Sequence, residues 1–163
     1  MERKASFPPV ADPRARLLIL GSLPGDRSLA DRRYYAHPQN QFWRLLGPVV
    51  GRDLFALSYE DRLVALQNAG VALWDVVAHA HRPGSSDAAI ADPQANDLAA
   101  LIATLPKLRA IAFNGATAHR HGLWALGSHA ARFEIVALPS SSPLHTVGLA
   151  AKQPAWSALA SYL

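Results

Sequence analysis

The sequence contains no cysteine among its 163 residues. Disulfide bonds, thiolate nucleophiles, iron–sulfur clusters and cysteine-ligated zinc are therefore excluded. Lysine is also scarce, since only three of the 16 basic residues are lysines. No apolar run approaches the roughly 18 residues that a membrane span needs. The first residues carry charges and prolines instead of an apolar segment, so they do not predict a secretory signal.

The chain does contain enough apolar material for one folded core. Half of its residues are hydrophobic, and its length suits one domain of about 100–200 residues. Prolines up to Pro13 predict an extended arm over residues 1–15, without regular pairing, before a single domain over residues 16–163. The net charge of +4 comes mainly from arginine and suits a polyanionic partner such as nucleic acid. A GC-rich genome also encodes many arginines, so the charge alone leaves the partner open.

Four short apolar segments have the length and composition of buried β-strands. Segments between them have apolar residues at helical spacing. Strands that alternate with helices indicate an α/β fold with a parallel sheet covered on both faces. The predicted strands are residues 16–21, 71–77, 109–113 and 133–138. Predicted helices begin near Asn40, Leu54, Asp97, Thr117 and Pro154, and residues 79–93 are predicted to form a polar loop.

In such folds, functional residues gather in the loops beyond the carboxyl ends of the strands. Residues 21–25 place two glycines around a proline, which would let a ligand approach the backbone closely. A plain turn has the same composition, and the segment matches neither a Walker loop nor a dinucleotide fingerprint. Residues 139–145 carry three serines and a histidine, which suits either a phosphate-binding loop or a solvent-exposed turn.

Residues 34–43 form the most unusual segment, with aromatic residues, a histidine and side-chain amides close together. Such a set can build a pocket with a flat wall and hydrogen-bonding edges. Asn40 could equally cap the helix that follows it, and Phe42 could be a core residue only. Asn114 at the end of the third strand could present its amide to a planar ring or belong to an Asn-Gly turn.

Two histidine pairs are the only indication of a metal site. His79/His81 and His119/His121 have strand-like spacing, but neither pair lies in a predicted strand and no cluster of carboxylates accompanies them. We therefore predict no metal and no cofactor. A serine hydrolase is also disfavoured, because the sequence has no Gly-x-Ser-x-Gly elbow.

Taken together and in this order, these segments resemble the uracil-DNA glycosylase superfamily, and within it most closely the hypoxanthine (deoxyinosine) DNA glycosylase branch. The resemblance covers about residues 16–160 and is carried by residues 18–25 (LILGSLPG), 35–43 (YAHPQNQFW) and 138–144 (LPSSSPL), with 73–75 and 112–115 as further segments. It implies a three-layer α/β/α fold around a central, mostly parallel four-stranded sheet. It also implies hydrolysis of the N-glycosidic bond of a deaminated base that is flipped out of DNA.

One position departs from the pattern of the superfamily. Many members carry a water-activating Asn or Asp in the middle of the first glycine turn, where this chain has Leu23. The resemblance to the hypoxanthine branch then implies that Asn40 is the catalytic residue, which positions the attacking water. It also implies that Phe42 stacks on the flipped base and that Asn114 reads its edge. The base pocket implied in this way consists of Gly21, Ser22, Leu23, Tyr35, Phe42 and Asn114.

The same resemblance assigns the DNA contacts to the last loop. Leu144 is the expected wedge that fills the space left by the flipped base. Ser140, Ser141 and Ser142, followed by His145, are expected to contact the flanking DNA backbone. No lysine lies in these loops, so we expect a monofunctional glycosylase without Schiff-base lyase activity.

The expected partner is DNA with deaminated bases, bound by a monomer in the cytoplasm at the nucleoid. A mismatch-type uracil-DNA glycosylase remains a second possibility, and so does a catalytically weak damaged-DNA-binding module of the same fold. A small-molecule hydrolase on the same α/β layout is a third.

Overall fold

A computed structural model describes residues 3–163, which form two β-sheets with helices around the larger one. In chain order the strands are β1 (Arg3–Ala5), β2 (Leu17–Gly21), β3 (Val71–Asp75), β4 (Val77–His81), β5 (Ala91–Ala95), β6 (Ala110–Asn114) and β7 (Glu134–Leu138). The larger sheet has the order β3-β2-β6-β7, and every pairing in it is parallel. The predicted α/β fold with a central four-stranded parallel sheet is therefore confirmed.

The helices cover both faces of this sheet. They are α1 (Asp26–Asp31), α2 (Phe42–Val50), α3 (Tyr59–Asn68), α4 (Leu98–Ala103), α5 (Ala116–Leu126) and α6 (Leu149–Ser157), with short 3₁₀ helices at Leu54–Ala56, Asp87–Ala89, Gly127–Arg132 and Ala158–Tyr162. The last long helix, α6, starts five residues earlier than predicted, and Pro154 lies inside it.

Strand β2 is buried on both faces, which explains its uninterrupted apolar sequence. Leu17 and Ile19 pack in one core with α2, α3 and α6, whereas Leu18 and Leu20 pack in the other with α4 and α5. Burial of each such side chain contributes about 1.5–3 kcal/mol. Alternation along one strand thus joins the three layers.

The smaller sheet was not predicted. It is antiparallel with the order β1-β4-β5, so the N-terminal arm does pair regularly at residues 3–5, and the predicted loop 79–93 contains strand residues. His79 and His81 lie in strand β4 after all. Every residue of the edge strand β5 is exposed, and Pro93 lies within it. It therefore lacks the apolar pattern by which strands are predicted. The first two residues of the arm lie outside the described residues.

The register of the parallel sheet determines where its functional edge lies. Gly21 is paired with Asp75 across β2 and β3, and Asn114 is paired with Leu138 across β6 and β7. These four positions are the last residues of their strands, so they lie at the same carboxyl edge. Among the residues described, no helix has the length and apolar character needed to cross a lipid bilayer.

Candidate active site

A cavity of about 430 Å³ opens at the carboxyl edge of the parallel sheet. This volume is in the range of small-molecule binding sites, about 300–1,000 Å³. Asp75 and side chains within residues 21–28, 34–40, 85–88, 114–117 and 140–145 line the cavity. Its walls therefore come from the first glycine turn, the aromatic segment, the β4–β5 connection, the start of α5 and the last loop.

The structure gathers all but one of the predicted site residues around this cavity. Those that line it are Gly21, Ser22, Leu23, Tyr35, Asn40, Asn114, Ser140, Ser141, Ser142, Leu144 and His145. The exception is Phe42, which is fully buried and packs edge-on against Trp43 and Trp156. Tyr35 stacks on the Phe42 ring at a centroid distance of 3.9 Å and lines the cavity itself. The expectation that Phe42 stacks on a base is corrected, because Tyr35 provides the aromatic wall.

Tyr35 has an unusual backbone and is half-buried in the wall of the cavity. Its φ of 53° lies in the left-handed region, which residues other than glycine rarely adopt. The Tyr35 hydroxyl is buried without a hydrogen-bond partner among the described residues. Desolvation, with the negative charge of Asp75, raises the pKa of Tyr35 well above its ordinary value, and the nearby Asn114 amide opposes this shift. The phenol therefore stays neutral and can donate a hydrogen bond to a ligand.

Asn40 is half-buried in the wall of the cavity, just before helix α2. Its Oδ1 accepts a hydrogen bond of 3.0 Å from the backbone N–H of Phe42. The N-cap of α2 is Gln41, so Asn40 lies one residue before the capping position, but its bond still satisfies one of the free N–H groups at the start of the helix. The capping bond fixes the side chain and leaves its Nδ2 group for a ligand. Capping and catalysis are compatible at this residue.

Asn114 and Ser141 bind each other across the floor of the cavity. Asn114 Nδ2 donates to Ser141 Oγ, Ser141 N donates to Asn114 Oδ1, and both distances are 2.9 Å. Ser141 is completely buried, which corrects the expectation that it contacts the DNA backbone. Its role is to attach the last loop to strand β6. Asn114 retains one N–H and one lone pair with which it can contact a ligand.

Ser140 and Ser142 shape the same loop from within. Ser140 Oγ accepts from the backbone N–H of Ser142, and Ser142 Oγ accepts from the backbone N–H of Leu144, both at 3.1 Å. The two hydroxyls keep free lone pairs and donor protons on a half-exposed surface. Contact between these two serines and a DNA backbone stays a prediction.

Leu144 lies at the mouth of the cavity with 62% of its surface exposed. The loop behind it is fixed by Lys152, a buried residue of α6 whose Nζ donates to the carbonyl oxygen of His145 at 3.1 Å. Desolvation lowers the pKa of Lys152. The structure thus places an apolar side chain on a fixed loop beside a cavity that is large enough for a nucleobase. The role of Leu144 as a wedge stays a prediction.

Asp75 is the main site residue that sequence reasoning missed. Only 3% of it is exposed, yet it lines the cavity, and its Oδ2 has no hydrogen-bond partner among the described residues. Desolvation and the nearby charge of Asp87 raise the pKa of Asp75 to about 7, against an opposing effect of Arg82. The available signal was an aspartate that ends an otherwise apolar strand.

A second missed group holds the glycine turn in place. Ser22 Oγ donates to Asp87 Oδ1 at 2.6 Å, and Arg82 lies 3.8 Å from the same carboxylate. The buried Arg82 guanidinium also donates to the backbone carbonyls of Leu23 and Pro24. Burial raises the pKa of Asp87, whereas Ser22 and Arg82 lower it. Arg82, the residue that follows strand β4 of the smaller sheet, therefore anchors one wall of the cavity.

Neither histidine pair lines the cavity. His79 Nδ1 accepts a hydrogen bond from Arg3, and the His119 ring packs against Phe113. Within residues 3–163, no group of three or more His, Asp or Glu side chains is arranged to hold a metal ion.

The fold and the site define an α/β protein that can enclose a planar polar ligand beside an exposed apolar side chain, as base-flipping proteins do. The family model of the uracil DNA glycosylase superfamily matches residues 8–160, and the chain belongs to this superfamily.

Similarity to known proteins extends over nearly the whole chain. A Hypoxanthine DNA glycosylase of Methanosarcina barkeri is 39% identical over 154 residues, which are 94% of this chain and 96% of that protein. A Hypoxanthine DNA glycosylase of Methanosarcina acetivorans is 42% identical over 139 residues, 85% of this chain and 86% of that protein. The solution NMR structure of a proposed uracil DNA glycosylase from Methanosarcina acetivorans superposes with a TM-score of 0.86 at 38% identity, covering 98% of this chain and 97% of that one.

Proposed function

We propose that the protein is a monofunctional DNA glycosylase that releases hypoxanthine from deoxyinosine in DNA. The cavity carries this proposal, because Asn40, Tyr35 and Asp75 line one space that is large enough for a nucleobase. The similarity to two proteins named Hypoxanthine DNA glycosylase supports the same substrate. The enzyme would act on cytoplasmic DNA, at the nucleoid, as a monomer and without a cofactor.

The base must leave the duplex before its glycosidic bond can be reached, which costs a few kcal/mol. Leu144 would occupy the vacated position in the stack, and Ser140 and Ser142 would contact the flanking backbone. The flipped base would lie against the Tyr35 ring, a contact worth about 1–3 kcal/mol. Binding energy from these contacts offsets the cost of extrusion.

Cleavage then gives a sugar with oxocarbenium character, which water attacks. Asn40 would orient this water, since an amide is a poor base and acts through position more than proton abstraction. The cavity lining also carries the carboxylates of Asp26 and Asp87 beside Arg27. Negative charge near the site stabilises a developing positive charge on the sugar.

The substrate preference follows from Leu23. This side chain is buried against Val77 and Ala80, and it has no polar atom with which to activate water. Cleavage of the glycosidic bond must therefore depend more on stabilisation of the leaving base, for example by its protonation. A purine can be protonated on its ring, so hypoxanthine is a better leaving group here than uracil.

Base release from duplexes that contain deoxyinosine, deoxyuridine, deoxyxanthosine or a thymine mispair tests the proposal. We expect hypoxanthine to be released fastest and uracil weakly or not at all, with full activity in excess EDTA because no step needs a metal. Faster release of uracil would instead identify a mismatch-type uracil glycosylase. Binding without any release would identify a damaged-DNA-binding module, and loss of activity in EDTA with recovery in zinc would reveal a metal site.

Replacement of Leu144 with alanine tests the wedge. Excision from a stable base pair should fall about tenfold, equivalent to about 1.4 kcal/mol, while excision from single-stranded DNA should change little. Val147→Ala is the matched control, because Val147 is also an exposed apolar residue near this loop but does not line the cavity. Equal losses on paired and single-stranded substrates would show that Leu144 is not a wedge.

A further inference from the structure

A buried polar group in the lining of the cavity is the carboxyl of Asp75, at the end of strand β3. It faces Gly21 on the neighbouring strand, where an added Cβ would lie 2.6 Å from Asp75 Oδ1 and 2.9 Å from the Tyr35 hydroxyl oxygen. The absence of a side chain at Gly21 therefore brings a carboxyl and a phenol close together. Neither Asp75 Oδ2 nor the Tyr35 hydroxyl has a hydrogen-bond partner among the described residues, although both atoms are buried.

The other polar side chains around this point already have partners. Asn114 is bound to Ser141 through both ends of its amide. Ser22 is bound to Asp87, which also faces the guanidinium of Arg82. Leaving a buried polar atom without a hydrogen-bond partner is unfavourable, so two such atoms in the lining of one cavity indicate a ligand that satisfies them.

The charges around Asp75 determine which form it takes. Desolvation raises its pKa to about 7, the carboxylate of Asp87 adds to this shift, and Arg82 opposes it. The phenols of Tyr34 and Tyr35 have raised pKa values and stay neutral. A substantial share of Asp75 therefore carries a proton near neutral pH. Burial also raises the pKa of Asp87, but the hydrogen bond from Ser22 and the charge of Arg82 oppose that shift. Two carboxyls with different environments can divide the acid and carboxylate roles of one site.

We propose that Asp75 is the general acid of the reaction and protonates the departing base. This inference rests on the proposed function. The C1′–N bond breaks with its electron pair on the base, the base takes the proton of the Asp75 carboxyl at a ring nitrogen, and water adds to C1′. The proton released by that water restores the Asp75 carboxyl directly or through solvent, so the net reaction consumes one water. The Tyr35 hydroxyl donates a second hydrogen bond to the same base.

This assignment distinguishes classes of base. A purine such as hypoxanthine keeps ring nitrogens with free lone pairs after attachment to the sugar, and these can accept a proton. Uracil has no such ring nitrogen, since N1 is bonded to the sugar and N3 carries a hydrogen. An acid in the lining of the cavity therefore accelerates loss of a purine more than loss of uracil.

The pH dependence of single-turnover hypoxanthine release tests the role of Asp75. The wild-type rate should fall up to tenfold per pH unit above about 7, because the acid form is lost as pH rises. Asp75→Asn should be about 10²–10⁴-fold slower at about pH 6 and should lack this falling limb. Asp87→Asn removes the neighbouring negative charge that raises the Asp75 pKa, so it should shift the limb to lower pH.

Substrates that contain 7-deaza- or 3-deaza-deoxyinosine test the same step without a change in the protein. The base of one of these analogues should be released much more slowly than hypoxanthine by the wild type, and Asp75→Asn should not distinguish that analogue from deoxyinosine.

An Asp75→Asn enzyme that keeps the wild-type pH profile would overturn the inference, and so would equal wild-type rates on both analogues and deoxyinosine. In either case hypoxanthine release by the wild type would leave the proposed function intact. No release at all would overturn both. If Asp75→Asn does not fold, the wild-type rates on the analogues decide.

Discussion

Replacement of Asn40 with alanine is expected to slow single-turnover hypoxanthine release by about 10²–10⁴-fold, because a contact that positions water in the transition state is lost. The same change removes the acceptor for the Phe42 N–H and should cost about 0.5–2 kcal/mol of stability. A domain with the usual 5–15 kcal/mol would stay folded, so binding to deoxyinosine DNA should be nearly unchanged. Rates from single turnovers, with thermal unfolding and DNA affinity, measure the three effects separately.

Asn40→Ser separates the capping role from the catalytic one. A serine hydroxyl can accept the Phe42 N–H, because serine forms the same side-chain hydrogen bond to the backbone two residues on. This variant should therefore recover most of the stability lost in Asn40→Ala, while its rate stays low because the amide is absent. A folded Asn40→Ala enzyme within threefold of the wild-type rate would leave Asn40 as a cap only.

The central sheet could be predicted because strands that are buried on both faces have uninterrupted apolar sequences. Residues 17–20 are all apolar, and the other predicted strands also lie close to their observed bounds. The strands β4 and β5 of the smaller sheet have no such apolar runs. Strand β4 pairs with residues 3–5, far away in sequence, and the other partner, β5, is an exposed edge strand with a proline. Pairing of this kind depends on the tertiary context more than on local pattern.

The site could be predicted as a set of segments, but not in its charge state. Residues 21–25, 34–43 and 139–145 do meet around the cavity, as their positions after strands suggested. Tyr35 lines the cavity where Phe42 was expected. The backbone of Tyr35 is left-handed, which nothing in its residue type predicts. Asp75 and Arg82 were missed because their roles depend on burial and on partners distant in sequence.

Replacement of Gly21 with alanine should inactivate the enzyme with little effect outside the cavity. The new methyl group would lie 2.6 Å from Asp75 Oδ1 and 2.9 Å from the Tyr35 oxygen, so at least one of these groups must move. Such overpacking should cost about 1–3 kcal/mol of stability. A shift of about 1 Å in a catalytic group can lower the rate by about 10²-fold.

Gly148→Ala provides the control for Gly21→Ala, because it makes the same chemical change where no atom lies within 4 Å of the new methyl group. Gly148 has an ordinary extended backbone before α6 and does not line the cavity. The Gly148→Ala variant should keep a rate within a few-fold of the wild type.

Gly21→Ala also tests the Asp75 assignment. A methyl group against the Asp75 carboxyl should disturb the fall of the rate above about pH 7 as well as the rate itself. A Gly21→Ala enzyme with wild-type rate and pH profile would mean that neither Asp75 nor Tyr35 contacts the base, and Asn40 alone would remain as the catalytic group at this edge of the sheet.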